Sequence, residues 1–60
     1  MRTEARKTLS TIHTIQRLED YVRCARAELA SCPEDELLRE FIRINERLIL
    51  EEKRRLLDVA

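Results

Sequence analysis

Ser31-Cys32-Pro33-Glu34-Asp35-Glu36 is the one strong break in an otherwise helix-forming chain of 60 residues. Proline has no amide hydrogen and its ring clashes with the preceding turn, so it ends the helix before it and can open the next from its first turn. Two helices follow. Ser31 or Cys32 stands at the cap position, and Ser31-x-x-Glu34 fits a capping box in which hydroxyl and carboxylate satisfy orphan amides. Glu34, Asp35 and Glu36 then fall in the first turn of the second helix, while Lys53-Arg54-Arg55 lie near its far end. Both clusters suit the dipole of one helix running from about residue 33 to 58.

Outward from this break the composition stays helical. There is no glycine, a single proline and no tryptophan, and charged residues make up 40% of the chain. The first helix is expected over about residues 8–30, its start falling between Thr3 and Ser10, either of which could cap it. The threonines at 3, 8, 11 and 14 lower helix propensity there, so its first turns are expected to fray unless a partner covers them. Thr8, Ile15, Val22 and Leu29 recur every seven residues and interleave with Thr11, Leu18, Ala25 and Cys32. That is a narrow seam of period 3.5, suited to packing one neighbour with bundle-like crossing.

The second helix is apolar over a wider arc. Leu38, Ile42, Ile49 and Leu56 form one flank, Leu37, Phe41, Ile44 and Leu48 another, and together they span roughly 160° at 100° per residue. One seam cannot cover that arc. The expected architecture is therefore an all-α, antiparallel two-helix hairpin spanning residues 1–60, with its turn at about 31–33, completed into a bundle by a partner or a second copy. Its internal core draws on Ile15, Leu18, Val22, Ala25 and Leu29 against Leu38, Ile42, Ile49 and Leu56. The candidate partner-binding residues are Leu37, Phe41, Ile44, Asn45, Leu48 and Glu52. Each large side chain left in water forgoes roughly 1.5–3 kcal/mol, which makes a second neighbour the economical solution.

Asn45 and Glu52, seven apart within the arc, are the polar members of that set. Unpaired polar groups are costly to bury, so they either fix register and partner number, Asn45 bonding across the interface and Glu52 meeting an arginine, or stay hydrated where the helix ends splay. Leu50 and Leu57 face away from the arc among Arg39, Arg43 and Glu46, as a second contact strip or as ordinary surface leucines. Cys24 and Cys32 read as small buried hydrophobes and as reduced thiols.

Other functions find little support. Twelve basic residues balance twelve acidic ones, so net charge gives no general attraction to nucleic acid or anionic membranes. Arg6, Arg17, Arg23 and Arg26, with His13 nearby, make a basic outer face, but Asp20 and Glu28 interrupt it and no aromatic is interleaved for stacking. It reads as a solvated face with ion pairs such as Glu19 with Arg23. Two cysteines and His13 are too few for tetrahedral zinc. No phosphate loop, carboxylate pair or activated nucleophile stands out, so no catalytic, cofactor-binding or metal-binding residue is assigned and no enzymatic activity is expected. No apolar run reaches the roughly 18 residues of a membrane span, and the start lacks a secretory pattern, giving an expected cytoplasmic location without membrane insertion.

Gln16-Arg17-Leu18, then Arg26-Ala27-Glu28-Leu29-Ala30, then Cys32-Pro33-Glu34 resembles the small needle co-chaperones of bacterial type III secretion, the YscE/PscE group, over about half the chain. The resemblance implies a helical hairpin that pairs with a larger helical-repeat chaperone and helps hold a needle subunit soluble in the cytoplasm. Phe41, Ile44 and Leu48 would then be the anchors on the second helix. The expected role is a non-enzymatic co-chaperone or assembly subunit that stabilises a helical partner. The alternatives are a homodimeric four-helix bundle binding RNA, like plasmid copy-number regulators of the Rop type, and a small inhibitor docking on a bacterial signalling bundle.

Overall fold

A computed structural model describes residues 2–59, with side chains placed from residue 5 to residue 58. Helix α1 spans Arg2–Ser31 and α2 spans Glu36–Val59. They pack along their lengths as an antiparallel hairpin 47 Å long and 15 × 12 Å across. The fold is the all-α hairpin that the sequence pattern predicts.

The turn uses different residues from the expected ones. Ser31 is the last residue of α1, and Pro33 precedes α2 instead of opening it. The Cys32 amide closes α1 by donating to the carbonyls of Glu28 and Leu29, at 3.0 and 3.1 Å. The Asp35 amide then donates to the Cys32 carbonyl at 3.1 Å. This makes Cys32 to Asp35 a four-residue turn with proline at its second position, where its fixed φ fits. Every described residue keeps a negative φ, so the turn needs no glycine.

The residue that caps α2 is Asp35. Its carboxylate accepts from the Leu38 amide at 3.1 Å, and its carbonyl accepts the first helical bond, from Arg39, at 3.3 Å. The Ser31-x-x-Glu34 capping box does not form, because the turn takes up the four residues between the helices and Asp35 stands where a cap must stand. Only Glu36 remains as an acid inside the first turn of α2. At the far end the last turn holds no base; Lys53, Arg54 and Arg55 end a turn too early to meet the dipole at close range. Arg39 adds a side-chain bond to the Pro33 carbonyl, tying α2 back onto the turn.

Helix α1 also starts earlier than its threonines suggest, at Arg2. Thr14 spends its hydroxyl on the Ser10 carbonyl at 3.0 Å, and Thr8 and Thr11 are half-buried beside Leu56. Long packing against α2 thus outweighs their weak intrinsic preference.

The core is a single layer between the helices. Ile15, Val22 and Ala25 of α1 and Ile42 of α2 are buried, with Leu29, Leu38 and Ile49 packed at their margins. Leu18 and Leu56 are half-buried. Cys32, which the seven-residue pattern places at the end of the seam, is exposed beyond the helix, and Cys24 is exposed as well; both are free thiols. Neither is the buried small hydrophobe the pattern suggests, since one lies past the last packed turn and the other lies off the seam.

Candidate helix-docking strip

Along α2 the burial pattern resolves two stripes. Asp35, Leu38, Ile42, Asn45, Ile49, Glu52 and Leu56 are buried or half-buried, at alternating spacings of three and four. That spacing is a seam, and it faces α1. Asn45 and Glu52 therefore belong to the inside of the hairpin rather than to the exposed strip with Leu37, Phe41, Ile44 and Leu48. The wide arc concealed this, because its two flanks adjoin and a polar residue between them fits either.

Asn45 is only 7% exposed. Its side-chain amide donates to the Phe41 carbonyl one turn back, at 2.7 Å, so it satisfies itself within α2 and does not bond across the interface. Glu52 meets an arginine, as its chemistry suggests, but Arg55 of its own helix, at 3.5 Å. The Glu52 side chain keeps 18% of its surface exposed, so this pairing remains hydrated.

The two flanks of the seam differ in kind. On one, Glu19 reaches Lys53 at 3.5 Å and Arg26 pairs with Glu46, both across the helices. Each of these residues directly follows a seam position, seven residues apart on each helix, so the pairs form a regular row. Glu19 is thereby drawn away from Arg23, which pairs with Asp20 at 2.8 Å instead. Exposed pairs of this sort contribute about 0–1 kcal/mol each, yet they place charge along that whole side.

On the other flank, the positions directly before the seam carry Tyr21 and Glu28 on α1 and Phe41 and Leu48 on α2. A shallow groove here is bordered by Tyr21, Cys24, Glu28 and Phe41, with Ala25 and Leu38 at its floor. Leu37 and Ile44 extend the apolar row outward on α2. Leu37 is 84% exposed, Ile44 51%, Phe41 43% and Leu48 40%. Spaced at i, i+4, i+7 and i+11, these four side chains form one continuous stripe on the helix surface. Leu50 and Leu57 are also strongly exposed, but they lie on the opposite side of α2 from this stripe.

Among the described residues there is no cluster of histidine, cysteine or acidic side chains able to hold a metal ion, and no helix is long and apolar enough to cross a membrane. The grooves are shallow and open on one side, as expected where only two helices meet. Comparison with family models, with curated proteins and with solved structures finds no match to this chain.

Proposed function

We propose that this chain is a non-enzymatic interaction module that binds another helical polypeptide along Leu37, Phe41, Ile44 and Leu48. In its most concrete form it is a cytoplasmic co-chaperone or assembly subunit. One observation carries the reading. A four-residue stripe of large apolar side chains stays open to water on α2 although the hairpin has already buried its own seam. With these four residues 40% to 84% exposed, covering the stripe is worth roughly 3–6 kcal/mol. An amphipathic helix laid along it would supply that cover in the usual helix-in-groove manner.

The mechanism is mass action. A partner bound to the stripe stabilises the hairpin by favouring the folded state, and the hairpin in turn withholds the partner's apolar face from aggregation or premature assembly. The resemblance of the Gln16 to Glu34 stretch to needle co-chaperones supports the chaperone form of this role.

Leu48→Asp tests it. The substitution places a charge in the stripe and leaves the buried seam intact. Co-purification of the native partner is expected to be lost, while the circular dichroism of the isolated chain stays nearly unchanged. Equal loss of helicity with and without partner would instead make Leu48 a structural residue and remove the reading.

A further inference from the structure

We draw no further inference here: the strongest candidate, the exposed apolar stripe of Leu37, Phe41, Ile44 and Leu48 along α2, belongs to the docking surface already described, and nothing in the structure shows what covers it.

Discussion

Asp35 and Asn45 show how single residues tune this hairpin. Asp35 supplies both the side-chain cap and the first helical carbonyl of α2, whereas Ser31 is an ordinary exposed residue at the end of α1. Asp35→Ala is therefore expected to cost about 1 kcal/mol, or roughly 4–8 °C of melting temperature, and Ser31→Ala at most about 0.5 kcal/mol. Thermal melts followed by circular dichroism separate them, and the reverse order would return the cap to Ser31. Asn45 is buried on the seam among Ile42 and Ile49 yet spends its amide on its own helix. It contributes no bond to α1 and occupies a position an apolar side chain could fill. Asn45→Leu is expected to raise the melting temperature by several degrees, because the seam gains apolar contact at little hydrogen-bonding cost. A fall would show that the asparagine is held by a contact outside the hairpin.

Each helix is held by the other more than by its own propensities. The threonine-rich start of α1 remains helical because α2 runs alongside it, with Thr8 and Thr11 beside Leu56. Between the elements, the turn depends on Pro33 for its fixed φ and on the bond from Asp35 to Cys32 for closure. Pro33→Ala removes the one strong helix breaker while leaving Asp35 to cap α2. The hairpin is expected to persist, with a minor population in which α1 and α2 join as one continuous helix and exchange partners between copies. Crosslinking of single-label variants at the two helix ends would detect it as an intermolecular product present only in the mutant. If the substitution produces no such product, the turn is specified by Asp35 and the seam alone.

For the whole molecule, the decisive feature is the difference between the two sides of the seam. One side closes with a row of cross-helix ion pairs; the other leaves a stripe of leucine, isoleucine and phenylalanine beside Tyr21. A chain of this size has little core to spare, and a bundle completed by further helices is the common remedy. The asymmetry also predicts where substitutions matter. Leu50→Asp, on the opposite side of α2, is expected to leave the proposed partner binding within about twofold of the unmodified chain, whereas Leu48→Asp is expected to abolish it. Titration of both variants with the purified partner compares them directly. Comparable losses from the two would mean that the partner wraps α2 entirely, and the flank distinction would lose its meaning.

The hairpin itself was legible from one proline and two heptad patterns, because chain breaks and apolar periodicity are local properties that any folded context must respect. The buried seam residues Ile15, Val22, Ala25 and Ile42, and the exposed stripe from Leu37 to Leu48, follow the same periodicities. Tertiary packing determined what periodicity leaves degenerate. Asn45 and Glu52 lie between two apolar flanks on a helical wheel, and only the angle at which α1 docks assigns them to the inside. Likewise Asp35, Ser31 and Cys32 are all chemically able to serve at the turn. Which one caps depends on how many residues the chain needs to reverse direction while both seams stay in register.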